Sequence, residues 1–431
     1  MEANLILKKN TIFISLFAFI FRGFLDISYV FVVSPSFSYS GLNYDFNINQ
    51  YLISWILFIA ASFFVPRFLL KVSDFVITCS VFFVLAPLTS LYGLDYNRPL
   101  EPVIVSMLSI WMVRAILNLK SIVFMLPIIK NGHYVSLILS MLSVSYLIVV
   151  FLKSGAQLNF HFSKVYEFRS INAALTETGF NAYMNMWVFK VFNIYLLAYF
   201  LLKRRFTLVI LFSIVQLFFF AVSANKGILF YPVILFSIWF FFKDRASIYF
   251  LPAALSSVIV LSLSSYYFLD DYMVSSMLSR RVFFIPAHLT FTYFEFFSNN
   301  PHVFWSDSVL SYFSMYPYDS DMAKVIGAYM GHEEMSANNG YVSSGFAHAN
   351  FLGVFIYSLI FGFLLKFIDA VSYKNVPLWF GISIVIVPLR QLLVASDFPV
   401  VLFTHGLIVS IILLYLSRSK RLRGPGEIHE K

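Results

Sequence analysis

Phe206–Phe242 reads FTLVILFSIVQLFFFAVSANKGILFYPVILFSIWFFF, and its only charged residue is Lys226. The apolar runs on either side of Lys226 are each close to the ~20 residues that a helix needs to cross the hydrocarbon of a bilayer. The polar residues between them, Ser223–Gly227, suffice only for a tight turn. The stretch therefore predicts two antiparallel membrane helices joined by a turn that carries one cation.

The rest of the chain has the same character. Of its 431 residues, 60% are apolar and only 12% are charged, and the mean hydropathy is +0.81. A soluble domain would carry more charge, and the strands of a membrane β-barrel would alternate instead of forming continuous apolar runs. We therefore predict an all-α polytopic membrane protein with about twelve transmembrane helices. Their predicted bounds are 12–33, 49–66, 74–92, 103–119, 134–152, 179–202, 206–222, 228–242, 247–268, 350–368, 377–396 and 398–417.

Basic residues follow the alternation of these helices. Lys and Arg are concentrated at alternate connections, among them Lys203, Arg204 and Arg205, and in the tail 418–431. Because basic residues near helix ends are retained in the cytoplasm, both termini are predicted to be cytoplasmic. The net charge of +9 is thus mostly a signal of orientation and requires no nucleic-acid partner.

One interval, 269–349, is polar and acidic where the other connections are short. We predict it to be a single large external loop between helices 9 and 10. It separates residues 1–268, which hold helices 1–9 and a smaller external loop near 153–178, from helices 10–12 in 350–417. Residues 418–431 form a basic cytoplasmic tail. A chain that builds one large polar segment on one face is expected to place its chemistry there.

Four cationic side chains lie next to the predicted external membrane surface: Arg169, Lys226, Arg280 and Arg281. An Arg offers a bidentate fork to a phosphate, and a Lys offers a point charge. Together the four could clamp a diphosphate. The alternative interpretation is that they pair with external acids or with lipid headgroups.

His348 ends the polar interval, where predicted helix 10 begins at Asn350. An imidazole titrates near ~6.5, so His348 is a candidate for proton transfer, and His288, His302 and His332 are weaker ones. His348 and Asn350 could also meet a sugar from water and a phosphate from lipid. The alternative for both is a helix cap or an interfacial anchor.

The sequence does not predict a metal centre. The His spacing does not suit zinc, and Cys79, the only cysteine, excludes a disulfide within the chain. Asp319-Ser-Asp321 resembles a metal-binding pair, but such pairs are common in solvated loops.

Several charges fall inside predicted helices. Arg22 and Asp26 are four residues apart on one helical face, which predicts a neutralised pair. Arg114, Lys190 and Arg390 have no comparable local partner. Charges within a membrane indicate functional sites by default, and Lys190 could belong to a cavity beneath Arg169.

Several of these segments resemble the O-antigen polymerase family of Gram-negative bacteria. They are Val165-Tyr-Glu-Phe-Arg169, Ser223-Ala-Asn-Lys226-Gly227, Arg280-Arg281, Asn338-Asn-Gly-Tyr341, Ala347-His-Ala-Asn350-Phe-Leu-Gly353 and Phe361-Gly362. The topology, with one large periplasmic loop between helices 9 and 10, is also similar to that family. One position departs from it, because many relatives carry Arg where this chain has Lys226, which keeps the charge but not the bidentate geometry.

The resemblance implies a glycosyltransferase-type polymerase in the bacterial inner membrane. It would transfer a glycan from undecaprenyl diphosphate to the non-reducing end of a lipid-linked repeat unit at the periplasmic face. No cofactor is implied, because the lipid diphosphate is already a good leaving group. The implied partners are the undecaprenyl-diphosphate-linked oligosaccharide, membrane lipid, a chain-length regulator and a flippase, with no nucleic acid.

The expected site residues follow from the same resemblance. His348, Arg280 and Arg169 are expected to be catalytic, with His348 taking the proton of the acceptor hydroxyl. The expected diphosphate contacts are Lys226 and Arg281, and the expected glycan contacts are Asn350, Tyr293, Trp305 and Asp307. Asp307 and Glu295 are the alternative bases.

Two other functions fit the sequence less well. An O-antigen ligase resembles the same fold and also joins a lipid-diphosphate glycan to a hydroxyl. A flippase or other secondary transporter would concentrate its polar residues at the bilayer midplane, whereas here they are predicted outside it.

Overall fold

The computed structural model describes residues 2–120, 124, 126–160, 165–243, 247–308, 311–313 and 315–418. Within these ranges the architecture is helical. Of the predicted basic tail 418–431, only Arg418 falls among the described residues. The helices are α1 (Glu2–Ser28, continued by short helical turns to Ser40), α2 (Ile48–Ser62), α3 (Val72–Leu94), α4 (Glu101–Asn118), α5 (Gly132–Lys153), α6 (Val165–Thr176), α7 (Phe180–Leu202), α8 (Phe206–Ser223), α9 (Lys226–Phe242), α10 (Phe250–Leu269), α11 (272–299), α12 (Met322–Tyr329), α13 (Tyr341–Ser372), α14 (Leu378–Val394), α15 (Phe398–Phe403) and α16 (Leu407–Leu416).

Each of the twelve predicted membrane segments overlaps a helix. Nine spans in the described residues are long and apolar enough to cross a membrane, and α2, α9 and α14 are shorter apolar helices. The chain is therefore a polytopic, membrane-embedded helical protein. The last predicted segment is divided, because the helix stops at Phe403 and resumes at Leu407.

The predicted pair within the first membrane helix is confirmed. Arg22 forms a salt bridge with Asp26, and its guanidinium also donates to Ser54 Oγ at 3.1 Å and lies 5.0 Å from the ring of Trp55. Tyr51 donates to the same carboxylate. A buried cation is tolerated here because the Asp26 carboxylate compensates its charge inside the protein.

The interval predicted as a polar loop is different in the structure, because it contains α11, α12 and the start of α13. Nearly all side chains from Phe283 to Phe297 in α11 are buried. Asn339 is also buried, and its amide donates to Pro286 O and Thr290 Oγ1 of α11, both at 3.0 Å. Much of the interval is thus packed into the helical bundle, since its apolar residues form one continuous buried surface.

A break divides α13 into two arms. Ala349 and Asn350 have non-helical backbone angles, and Asn350 has φ +54°, which a non-glycine residue rarely adopts. The short arm (341–348) then lies antiparallel to the long arm (351–372). The ring of Tyr341 is 5.1 Å from that of Phe361, and Gly345 packs directly against Gly353. The reversal places His348 at the end of the short arm, beside the start of the long arm.

Candidate functional site

Four segments meet where α13 reverses. The short arm brings His348, the long arm brings Tyr357, the turn 303–308 brings Trp305, and the residue before α15 brings Asp397. We call these four residues the His348–Asp397 centre.

His348 is fully buried, and both of its ring nitrogens are engaged. The backbone N–H of Trp305 donates to Nδ1 at 3.1 Å, and Nε2 lies 3.0 Å from Asp397 Oδ2. Because a backbone N–H can only donate, Nδ1 must be unprotonated, so the ring proton is on Nε2 and is donated to Asp397. The site thus fixes one tautomer of the imidazole and leaves neither nitrogen directed at a substrate.

Asp397 is a buried anion that three donors surround. Besides His348, Tyr357 OH donates to Oδ1 at 2.8 Å and the backbone N–H of Phe398 donates to the same oxygen at 2.7 Å. Burial alone would raise the pKa of Asp397, but the hydrogen bonds from His348, from Tyr357 and from the backbone N–H of Phe398 lower it below its ordinary value. The carboxylate therefore stays ionised and orients the imidazole.

Trp305 closes the centre from the side of the polar interval. Its ring stacks on His348 with the ring centroids 5.0 Å apart, and its indole N–H donates to Tyr357 OH at 2.7 Å. Val303 and Phe304 donate backbone hydrogen bonds to the carbonyls of Ala347 and His348, both at 3.0 Å. The turn is thus held on the C-terminal end of the short arm, which needs such donors.

Asp307 lies two residues beyond Trp305, and its side chain is exposed. Partial desolvation raises the pKa of Asp307, and the charge of Asp397 adds to it. Asp307 is therefore a water-accessible carboxylate in electrostatic range of the buried pair. Its proton affinity is higher than that of an ordinary Asp.

The other expected glycan contacts have structural roles in this conformation. Tyr293 is 1% exposed, and its hydroxyl donates to Ala337 O at 2.9 Å, so it packs inside the protein. Asn350 Oδ1 accepts the backbone N–H of Phe351 at 2.7 Å, one of the N–H groups at the start of the long arm that have no partner within the helix. Of the expected glycan contacts, Trp305 and Asp307 are the two that lie at the centre.

The four expected diphosphate cations lie against different helices. Arg280 donates to Ser40 Oγ at 3.2 Å and lies 4.7 Å from the ring of Phe37, near the end of the first membrane helix, with Arg281 next to it. Arg169 is exposed on α6, whose Asn172 donates to Val222 O of α8 at 2.6 Å. Lys226 is the first residue of α9, which follows α8 directly.

His288 is unsuited to proton exchange near neutral pH. Burial, together with the neighbouring Arg98 and Arg280, lowers the pKa of His288 to about 3. The imidazole therefore remains neutral across the physiological range.

Sequence reasoning did not identify Asp397 or Tyr357 as members of the site. Asp397 precedes Phe398 and Pro399, and an Asp followed by an early Pro is typical of a helix N-terminus. That signal predicts the local cap but not the partner, because His348 is 49 residues away along the chain.

Comparison with known proteins identifies no relative. No protein-family model matches the chain, and no curated protein and no solved structure matches it either.

Proposed function

We propose that this protein is a surface-polysaccharide polymerase that transfers a glycan from a polyprenyl diphosphate to a hydroxyl of a lipid-linked repeat unit. The observation that carries the proposal is the His348–Asp397 centre, a buried, oriented imidazole–carboxylate pair beside an exposed carboxylate and an indole. Such an arrangement, at the end of a broken membrane helix, suits a reaction between a sugar in water and a lipid-borne phosphate. The sequence motifs around Arg169, Lys226 and His348 support the same function.

The reaction needs few groups from the protein. The acceptor oxygen forms a bond to the anomeric carbon, the bond from that carbon to the diphosphate oxygen breaks, and the electron pair leaves with the diphosphate. The acceptor proton passes to a base, and cations stabilise the departing charge.

Asp307 is better placed than His348 to be that base. For His348 to accept a proton, the hydrogen bond from Trp305 N–H to Nδ1 would have to break. Asp307 is exposed, and its raised pKa makes it a stronger base than an ordinary carboxylate. We therefore propose that Asp307 takes the acceptor proton. His348 and Asp397 position the turn that carries it.

Lipopolysaccharide electrophoresis from a deletion strain of the source bacterium tests this function. A polymerase deletion should leave core carrying a single repeat unit, and the wild-type gene should restore the long-chain ladder. A deletion strain with bare core would instead identify a ligase, and an unchanged ladder would refute both.

Complementation with point variants tests the assignment of the base. Asp307→Asn should abolish long chains at normal membrane levels of the protein, whereas His348→Gln should shorten or weaken the ladder without abolishing it. Asp319→Asn, which changes an exposed carboxylate of the same interval, is the matched control and should behave as wild type. A full ladder from Asp307→Asn, or none from His348→Gln at normal protein level, would return the role of base to His348.

The location of the centre is tested separately. Reporter fusions in the exposed turn at Gly331 should report the periplasm. A cytoplasmic location would contradict the proposed function, because the lipid-linked donor and acceptor would be on the other side of the membrane.

A further inference from the structure

A second polar cluster lies deeper in the membrane helices, and the proposed reaction has not yet used it. Lys190 of α7 is 5% exposed, and its ammonium donates to His405 Nδ1 at 2.7 Å. His405 Nε2 then carries the proton and donates to Ser396 Oγ at 3.1 Å. An ammonium has three N–H donors, and this contact uses one of them.

Arg390 of α14 adds a second cation to this cluster. α14 packs both against the π-helical segment of α7 that contains Lys190 and against α9, and Arg390 is in electrostatic range of Lys190 and of Tyr231 of α9. Within the described residues, no Asp or Glu forms a salt bridge with Lys190 or Arg390. Two like charges inside a membrane protein are costly unless an anion compensates them.

The backbone around the cluster is irregular on both sides. Lys190 lies in a π-helical segment of α7, Val188–Phe192, and His405 lies in the break between α15 and α16. Trp187 of α7 joins the two irregularities, since its indole N–H donates to Phe403 O at 2.7 Å. Gly406, with φ +77°, lies so close to Trp187 that a Cβ there would be 2.9 Å from the indole ring.

Side chains complete the hydrogen bonding of the π segment. Gln216 of α8 donates to Phe189 O at 3.1 Å and to Ile228 O of α9 at 3.2 Å. Broken and π-helical segments inside membranes are tolerated where the protein re-satisfies them, and they frequently mark binding sites.

The cluster is connected to the proposed reaction at two points. Ser396, which holds His405, is the residue before Asp397 of the His348–Asp397 centre. Tyr231 lies on the helix that begins with Lys226, and the neighbouring Gly227 packs near its hydroxyl. The cluster is thus linked both to the helix that begins with Lys226 and to the His348–Asp397 centre.

We propose that Lys190 and Arg390, with His405 positioning the Lys190 ammonium, form an intramembrane binding site for the diphosphate of a polyprenyl lipid. Its role as the site of the glycan donor and of the leaving diphosphate rests on the proposed function, whereas the binding itself does not. Lys190 supplies a point charge with two further N–H donors, and Arg390 supplies a bidentate fork.

Calorimetric titration of the purified full-length protein in nanodiscs tests the binding. The probes are farnesyl diphosphate, farnesol and inorganic pyrophosphate. We expect farnesyl diphosphate to bind, farnesol not to bind, and Lys190→Met and Arg390→Met each to weaken the diphosphate affinity at least tenfold. Lys366→Met, which removes a cation that donates to Ile116 O instead, is the control and should bind as wild type.

Inorganic pyrophosphate distinguishes the two sources of the phosphate group. Competition by pyrophosphate would show that the site is open to water, and binding of the lipid alone would show that it is reached through the membrane; both agree with the proposal. Equal affinity for farnesol, or wild-type affinity in both Met variants, would overturn it.

Folding of the variants is checked by thermal unfolding without ligand. Because Lys190→Met removes an uncompensated cation, its melting temperature should equal or exceed that of the wild type, and only the shift caused by farnesyl diphosphate should disappear. If Arg390→Met does not fold, Arg390→Lys, which keeps the charge, should bind measurably but more weakly than wild type. Wild-type affinity in Arg390→Lys would contradict a bidentate contact.

Glycan ladders from cells separate this proposal from the proposed function. Diphosphate binding that depends on Lys190, together with an unchanged ladder in the deletion strain, would keep the site and refute the polymerase. A ladder lost on deletion, with no diphosphate binding to the purified wild type, would keep the polymerase and refute the site.

Discussion

The reversal of α13 depends on two glycines, and replacing them by alanine gives a graded test. A Cβ on Gly353 would lie 1.9 Å from the carbonyl oxygen of Gly345, whereas a Cβ on Gly345 would lie 3.0 Å from the carbonyl oxygen of Gly353. A Cβ on Gly23 in α1 would meet no atom within 4 Å. Gly23→Ala is therefore the matched control for the intrinsic effect of replacing glycine in a helix.

The expected magnitudes follow from these distances. To restore an ordinary contact of 3.4 Å, the two arms must separate by roughly 1.5 Å in Gly353→Ala but only by a few tenths of an ångström in Gly345→Ala. Overpacking typically costs about 1–3 kcal/mol, and both closely apposed groups here are backbone, which cannot rotate away. We expect Gly353→Ala to lose about 3 kcal/mol or more, Gly345→Ala to lose about 1 kcal/mol, and Gly23→Ala to lose nothing.

Unfolding titrations in mixed detergent micelles measure these differences. The separation of the arms should also displace the turn that carries Asp307, which is bonded to the carbonyls of Ala347 and His348, so Gly353→Ala should lose long-chain glycan synthesis even at permissive temperature. If Gly353→Ala is as stable as Gly23→Ala, the arms do not pack against each other and α13 is a continuous helix. That result would also contradict the His348–Asp397 centre, because these residues come together only if the chain reverses at Asn350.

Three further perturbations test the centre and the buried pair. Because the pKa of Asp307 is raised and a base must be deprotonated, the rate of glycan transfer by the wild type should fall as pH drops through a value above the usual ~3.9 of Asp, which a pH–rate profile would show. Asp397→Ala leaves the Nε2–H of His348 unpaired, which should cost about 1–3 kcal/mol of unfolding free energy, and a double-mutant cycle with His348→Ala should be non-additive. Because the pKa of Asp397 is lower in the folded protein than in the unfolded chain, Asp397 stabilises the fold at pH values above its unfolded pKa. This stabilisation should be lost as pH falls through the folded pKa, which a series of unfolding free energies against pH would show. Arg22→Met leaves the Asp26 carboxylate buried without its cation and should lower the free energy of unfolding by about 3–5 kcal/mol. The double variant Arg22→Met/Asp26→Leu should recover most of that free energy in the same unfolding titration.

The membrane helices could be predicted from the sequence because each apolar run is a local property. Within the polar interval 269–349, the composition of the whole interval conceals an apolar run that is long enough for one helix. Residues 282–297 read VFFIPAHLTFTYFEFF, with Glu295 as the single charge, yet the acidic residues on both sides made the whole interval read as a loop. A window of one helix length predicts the buried helix α11, whereas the composition of the whole interval does not.

The contact between His348 and Asp397 could not be predicted from the sequence for a different reason. Neither Ala349 nor Asn350 is a Gly or Pro, so nothing local predicts that the chain reverses there, and the only trace is the placing of Gly345 and Gly353 on either side of it. Contacts made by a reversal of backbone depend on the packing of the whole bundle. The same holds for Lys190, whose neighbours are His405, in the break between α15 and α16, and Arg390 of α14.

Ser396 and Asp397 connect the two sites, and this has a consequence for the order of events. Ser396 holds the imidazole that Lys190 contacts, and Asp397 holds the imidazole that orients the turn of Trp305 and Asp307. A diphosphate that accepts the other two N–H groups of Lys190 should move the ammonium and its partner His405, and so should shift the 395–405 segment and with it Asp397. Occupancy of the diphosphate site would then adjust the position of the base before the acceptor reacts. Hydrogen exchange should therefore show farnesyl diphosphate changing the protection of the Trp305 backbone amide in the wild type but not in Lys190→Met, and equal protection with and without the lipid would show that the two sites act independently.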